Sequence, residues 1–414
     1  MQTFHEKTNI TLKKYYSEPQ FIDYTTQPSS QKIYPHFYRR FNLDEYETLS
    51  FIKNFAQATF TKQYGKEHVN LRTTPSAGGL YPCEIYIQIR KVKGLLSGVY
   101  HYEPLQNALT LIHELSNDGL EVYFEEFTTA QQFIFLISCV PFRTVWKYED
   151  RSIRYLLLDS GHQIGAVNTA CNLSGIHPTL STNFDKEKLN ALFRFQNKEY
   201  FVAALSIDLG QEANIKPLRE ALPFVPACDY YLPHPFADDF FTHYNKEAPF
   251  SLALPSLCSL INQQVIDTRR SCRAFKNESL SFNDFKTICT ELFELSTSLG
   301  IEIFYINNNI EELPLGLYKN VSCLKEGDFR QKAQELALYQ ALGAKSAATL
   351  FFTTSKKSAY AKSTILSAYL AHSIYLKCSA LGLQCSGVGA YFDEECQTFL
   401  QTSNNILYLI CIGK

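Results

Sequence analysis

No apolar stretch of this sequence approaches the ~20 residues needed to cross a bilayer. The start, Met1-Gln-Thr-Phe-His-Glu-Lys7, lacks the apolar core of a secretion signal. Cys-x-x-Cys is absent too, and the closest of the twelve cysteines are Cys378 and Cys385. Most cysteines fall in apolar segments such as Ile137-Ser-Cys-Val140 and Leu409-Ile-Cys-Ile412. That points to reduced, buried thiols in a cytoplasmic protein and away from a disulfide framework. The ten histidines are scattered without the spacing of zinc ligands, so no metal site is expected. With a formal net charge of −2, the chain has no electrostatic reason to bind nucleic acid or an anionic membrane.

What is present is ample core: 414 residues, 45% apolar and 14% aromatic, a length for about two to three domains. The order of segments recurs along it. The first half runs Gly98-Val-Tyr-His-Tyr-Glu-Pro104, a strand at Phe133-Ile-Phe-Leu-Ile-Ser138, a helix from Arg154 to Ser174 closed by Gly175, and a strand from Phe201 to Gly210. The second runs Gly316-Leu-Tyr-Lys-Asn320, a strand at Thr349-Leu-Phe-Phe-Thr353, a helix from Thr364 to Leu381 closed by Gly382, and a strand from Ile406 to Gly413. An internal repeat of α+β class is therefore expected, with units at 1–211 and 263–414. Between them, at 212–262, lie seven of the sixteen prolines, which predicts an extended connector. The two long helices carry mostly small and apolar residues, so both should be buried. His162 and His372, equivalent in this alignment, are expected as core residues where the units meet.

The segment Arg72-Thr-Thr-Pro-Ser-Ala-Gly-Gly-Leu-Tyr-Pro82 precedes the alternating run Glu84-Ile-Tyr-Ile-Gln-Ile-Arg90. A turn with so little side chain leaves its backbone groups open to a flat polar ligand, and the strand would hold it rigidly. Alone, this is an ordinary turn. Likewise Arg269-Arg-Ser-Cys-Arg273 alone is a solvated loop. Trp146 and Tyr148 alone are core residues, with Lys147 paired to Glu149 or Asp150. Their combination points further.

Pro75-Ser-Ala-Gly-Gly-Leu-Tyr-Pro82, Gly98-Val-Tyr-His-Tyr-Glu-Pro104 and Arg143-Thr-Val-Trp-Lys-Tyr-Glu-Asp-Arg151 together resemble the SagB-type (ThcOx-like) dehydrogenases, an FMN-dependent branch of the nitroreductase superfamily. Arg269-Arg-Ser-Cys-Arg-Ala-Phe275 and Gly382-Leu-Gln-Cys-Ser-Gly-Val-Gly-Ala-Tyr-Phe392 look like nitroreductase motifs generally. The resemblance covers most of residues 70–210 and 265–414. It implies two tandem α/β sandwich units forming an internal pseudo-dimer, with flavin bound where units meet.

The motifs are divided between the halves. The first has only Tyr38-Arg-Arg-Phe41 near its start, Gly175-Ile-His-Pro-Thr-Leu-Ser-Thr-Asn-Phe184 in place of the glycine-rich motif, and Gly210-Gln211 without a cation. The second has Glu294-Leu-Ser-Thr-Ser-Leu-Gly300 in place of the turn. One FMN site per chain is expected, and a ratio near two flavins per chain would contradict this. By the resemblance, Arg269, Ser271, Arg273 and Lys414 would bind the phosphate, aided by the helix that starts at Ser281-Phe-Asn-Asp284. Thr74, Pro75, Ser76, Ala77 and Gly78 would face the isoalloxazine ring. Gly387, Val388 and Gly389 would lie near N5, where a side chain would block the reaction.

Lys147 and Tyr148 match the catalytic Lys-Tyr pair of azoline-oxidising members. A lysine acting as base must be desolvated or lie near other cations, because it ordinarily titrates near ~10.4; Arg143, Arg151 and Arg154 are the candidates. In the second half Lys357 falls opposite Lys147, but Ser358 opposite Tyr148. The implied reaction converts thiazoline or oxazoline to thiazole or oxazole in a ribosomally made peptide, with a cyclodehydratase as partner. The alternatives are an NAD(P)H-dependent reductase of nitro, quinone or dehydroamino-acid substrates, and a flavin-free scaffold subunit of a peptide-modifying complex.

Overall fold

The computed structural model describes residues 1–17, 21–64, 67–212, 214–256 and 259–414. It divides into a first compact unit, Asp23–Cys258, and a second, Met1–Ile22 together with Ser259–Lys414. The first carries β1 (Arg40–Asn42), β2 (Ala58–Tyr64), β3 (Glu67–Arg72), β4 (Cys83–Ile89), β5 (Gly98–Glu103), β6 (Ala108–Glu114), β7 (Thr129–Cys139), β8 (Thr179–Ser181), β9 (Tyr200–Glu212) and β10 (Ser251–Ala253). The second carries β11 (Ile301–Asn307), β12 (Gly316–Lys319), β13 (Ser322–Glu326), β14 (Ala348–Thr354), β15 (Gln384–Val388) and β16 (Asn405–Gly413).

The repeat is explicit in the sheet topology. In the first unit the strands run β1-β6-β5-β4-β7-β9-β8-β10, and in the second β13-β12-β11-β14-β16-β15. Removing the three-residue edge strands β1 and β10 leaves the same order in both, with each strand matched to its successor in the repeat. β2 and β3 form a separate antiparallel ribbon that leads into the turn before β4.

A long helix packs in each unit. In the first it spans Ser152–Leu173, with Ser152 through Cys171 buried; in the second it spans Tyr360–Ala380. Each is apolar around most of its girth and so has no face to offer water. Gly175 and Gly382 follow with φ of 72° and 69°, the left-handed conformation that ends a helix at little cost for glycine. His162 and His372 are both buried within these helices. The Glu294–Gly300 segment completes the helix Phe282–Ser298 and runs into β11, with no turn of the Pro-Ser-Ala-Gly-Gly kind.

Two segments depart from the expected division. The first residues join the second unit: Ile10 N–H donates to Asp393 Oδ2 at 3.0 Å, and Asn405 Nδ2 donates to Gln2 Oε1 at 2.6 Å. The proline-rich segment belongs to the first unit. Pro235 opens the helix Pro235–Tyr244, where its missing N–H costs nothing. From that helix Phe241 stacks on Tyr200 at 4.3 Å and the Tyr244 hydroxyl donates to the Val202 carbonyl at 2.7 Å.

Ten of the eleven described cysteines are buried and all eleven are free thiols, Cys323 alone being exposed. Among the described residues no helix is long and apolar enough to cross a membrane. No three His, Cys, Asp or Glu side chains converge there as metal ligands would.

Candidate active site

In the first unit the turn after β3 is gripped from below. Gly78 and Gly79 take φ of 64° and 70°, so the chain reverses where a β-carbon would be strained. Ser76 Oγ donates to Asp159 Oδ2 at 2.5 Å, Ala77 N–H to Asp159 Oδ1 at 3.2 Å, and Tyr81 N–H to Ser76 Oγ at 2.9 Å. Asp159 comes from the long helix and is 6% exposed. It borders a cavity of about 10 Å³ with Arg72, Thr74, Ser76, Tyr81 and Gln163, room for one water.

Burial pushes the Asp159 carboxyl up to about 7, against the two hydrogen bonds from the turn. A carboxyl raised in the folded state stabilises when protonated and loses that contribution as pH climbs from the unfolded value of 3.8 to about 7. Asp159→Asn removes the titration. The wild-type chain should lose up to ~4 kcal/mol relative to this variant across that window. Thermal melts of both proteins at pH 5 and pH 8 check it, and a pH-independent difference would contradict it.

The turn meets the Lys147-Tyr148 pair. A β-carbon placed on Gly78 would lie 2.8 Å from the Tyr148 hydroxyl and 3.4 Å from Lys147 Nζ. The pair ends the helix Pro141–Tyr148, after which Glu149 takes φ of 46° and the chain turns into the long helix. Tyr148 packs on Tyr155 at 4.3 Å between ring centroids. Lys147 makes no ion pair among the described residues; its Nζ lies 5.4 Å from the Tyr24 ring centroid and 5.7 Å from that of Tyr148. In the second unit the long helix follows β14 after a short turn, with no counterpart of Pro141–Tyr148, and Lys357 is exposed.

Arg143 does not serve Lys147 as a neighbouring free cation. It is 0% exposed and its Nη2 pairs with Glu84 Oε1 at 2.6 Å. Its other donors reach the carbonyls of Ser29 at 2.7 Å, Tyr81 at 2.9 Å and Ala227 at 3.1 Å. Glu84 also accepts from Lys32 N–H at 3.0 Å and contacts His101 Nε2 at 2.8 Å. Burial alone would raise its carboxyl; Arg143 and the His101 hydrogen bond outweigh that and hold it well below the usual range. Behind it Lys32 Nζ pairs with Glu199 Oε2 at 2.5 Å, and Tyr86 and Ser138 donate to Glu199 Oε1. The polar face of β4 thus faces a buried charge network, and all seven of its residues are buried.

In the second unit Arg269, Ser271 and Gly387 converge on Tyr375. Arg269 is buried, with its guanidinium 5.4 Å from the Tyr375 ring. Ser271 Oγ lies 3.1 Å from the Tyr375 hydroxyl, which accepts from Gly387 N–H at 2.6 Å. Burial, then Cys385, pushes Tyr375 up to about 12, so it stays a neutral phenol. Burial and the Arg269 charge push His372 down to about 3, which keeps the imidazole neutral. A β-carbon on Gly387 would sit 1.9 Å from the Tyr408 hydroxyl, so only glycine fits. Val388 is buried in the core with its side chain packed, leaving its backbone as the available part. Arg273 is exposed, and Lys276 N–H donates to the Lys414 carbonyl at 2.8 Å, which holds the arginine segment beside Lys414. At the start of the helix Phe282–Ser298, Ser281 Oγ accepts from Asp284 N–H and donates to the Asp284 carboxylate. That helix start already carries its own acid.

Residues 266–414 match the model of the nitroreductase family. The match spans 149 of the chain's 414 residues. A protein of Methanocaldococcus jannaschii provisionally named as a nitroreductase is 35% identical over 97 residues, which is 22% of this chain and 48% of that protein. The crystal structure of a provisionally named nitroreductase from Anabaena variabilis superposes with a TM-score of 0.82 at 24% identity, covering 100% of this chain and 99% of that one. The likeness shows that the nitroreductase fold extends over both units.

Three residues around these groups escaped the sequence reading. Asp159 had a signal, being the acid inside the apolar run Leu156-Leu-Leu-Asp-Ser-Gly-His162; a charge there needs partners. Tyr375 had a weaker one, as a buried tyrosine whose hydroxyl needs a partner. Tyr24 had none, since nothing local ties it to a residue more than a hundred positions away.

Proposed function

We propose that this nitroreductase-fold chain is an FMN-dependent dehydrogenase that oxidises thiazoline or oxazoline rings in a ribosomally made peptide, working with a cyclodehydratase. One observation carries the reading: the side-chain-free turn at Gly78 abuts Lys147 and Tyr148. The pair proposed as general acid and base therefore lies against the loop that, by the family resemblance, would face the flavin.

The residues present fit the cofactor. Arg273 and Lys414 have no carboxylate partner among the described residues, and a phosphate dianion would attract both. A phosphate dianion would satisfy them together with Arg269, whose guanidinium fork suits bidentate contact. Ser271 and the backbone of Gly387 to Gly389 would complete that part. Bound FMN would supply a two-electron acceptor for one ring C–H. Lys147 would take the proton from the neighbouring ring carbon, with the Tyr148 hydroxyl held to donate or accept in the same step.

The test is purification followed by spectroscopy: a yellow protein with close to one FMN per chain. Arg273→Ala should lose most of that flavin, while its flavin-free form melts with flavin-free wild type, since the side chain is exposed. A ratio near two per chain, or a colourless wild-type protein, would overturn the proposal. The names of the similar proteins favour a second reading, an NAD(P)H-dependent reductase. Bleaching of the flavin by NADPH without any peptide would support that reading instead.

A further inference from the structure

The segment that opens the first unit crosses the helix of Lys147 and is fastened there repeatedly. Asp23 caps the turn Tyr24–Thr26 by accepting from Thr25 N–H at 3.0 Å. Trp146 Nε1 donates to Thr26 Oγ1 at 2.9 Å, and the Tyr230 hydroxyl donates to the Thr26 carbonyl. Further along, Arg143 binds the Ser29 carbonyl and Arg72 binds the Ser30 carbonyl at 2.8 Å. Such fastening fixes Tyr24, although its ring is 60% exposed and gains little from burial. Its ring meets Trp146 edge-on at 5.9 Å and presents its face to Lys147 Nζ at 5.4 Å.

We propose that Tyr24 is a positioning residue for Lys147. Together with Tyr148 it forms a seat of two aromatic faces that parks the resting ammonium beside the Gly78 turn, so that Lys147 must shed its proton and leave the rings to act as the base. The electron-rich faces attract the cation, and a lysine on a flexible four-carbon stem has no other fixed partner among the described residues. The seat accounts for an exposed ring being anchored by so many bonds. This inference rests on the reading that Lys147 works at the site, although its test does not.

The test is acylation of the full-length chain by limiting N-acetoxysuccinimide, with Lys147 modification followed by mass spectrometry. The amine has to leave the rings to react. Tyr24→Leu, which keeps bulk but removes the π face, should raise the Lys147 rate by about two- to fivefold, the scale of an exposed cation–π contact. Tyr24→Phe should match wild type, and exposed Lys188 should react equally in all three proteins. Equal Lys147 rates in the Leu and Phe variants would overturn the seat. A rise at Lys188 as well would show general loosening and also overturn it. The labelling needs no flavin and no turnover. If Lys147→Ala kept full activity, the catalytic reading would fall while this result stood.

Discussion

Lys147→Ala is expected to keep its flavin and lose about 10²- to 10⁴-fold in turnover, the range for removal of a positioned acid or base. Alanine is an excellent helix former, so the last turn of the helix Pro141–Tyr148 should persist. Lys147 is half-buried and makes no ion pair among the described residues, so its truncation strands no buried charge. The proposed phosphate ligands Arg269, Arg273 and Lys414 are untouched. Flavin absorbance and melting temperature should therefore match wild type, while single-turnover flavin reduction by a thiazoline-containing peptide slows. Unchanged reduction would remove Lys147 from the mechanism.

A comparably large effect, on stability this time, is expected at Arg143. Arg143→Met leaves Glu84 buried without its closest cation and strips three carbonyls of a donor. Loss of one partner of a buried pair costs about 3–5 kcal/mol, equivalent to a fall of roughly 6–20 °C in melting temperature for a unit of this size. The double variant Arg143→Met, Glu84→Gln should recover part of the loss, because it no longer holds an uncompensated charge. A single variant that melts with wild type would mean that the network contributes little. The same variant should also disturb the turn, since Arg143 Nη1 holds the Tyr81 carbonyl directly after it.

The repeat and the two long helices were legible in the sequence because each relies on local signals, an apolar girth and a closing glycine. Helix starts were less so: the helices begin at Ser152 and Tyr360 rather than Arg154 and Thr364, since no strong capping residue marks either start. Prolines were the main misdirection. As breakers between 212 and 262, they predict an extended connector. Pro235 instead opens a helix with His234 as its cap, and its apolar face packs on the first unit. The edge strands β1 and β10 are too short for any periodicity to reveal.

At the candidate site, the turn, the Lys-Tyr pair and the arginine motif could be named because each is contiguous in sequence. What could not be read were the long-range partners that give each motif its environment. Arg143 illustrates the difference. Four residues before Lys147, it looked like a neighbouring positive charge, yet Glu84, brought alongside by the pairing of β4 with β7, claims its guanidinium. Spacing along a helix reveals which groups share a face and says nothing of an acid arriving from a strand.

The free thiols make this chain's response to denaturation a one-way affair under air. Folded, ten of the eleven described cysteines lie out of reach of oxidants. Unfolded, all of them become available at once, with no native disulfide to guide their pairing. Scrambled cross-links would then trap the melted chain, and the transition would report a rate instead of an equilibrium. Heating cycles with an excess of reductant should refold the chain, whereas the same cycles in air should not, so a reducing buffer belongs in every melting experiment on these variants.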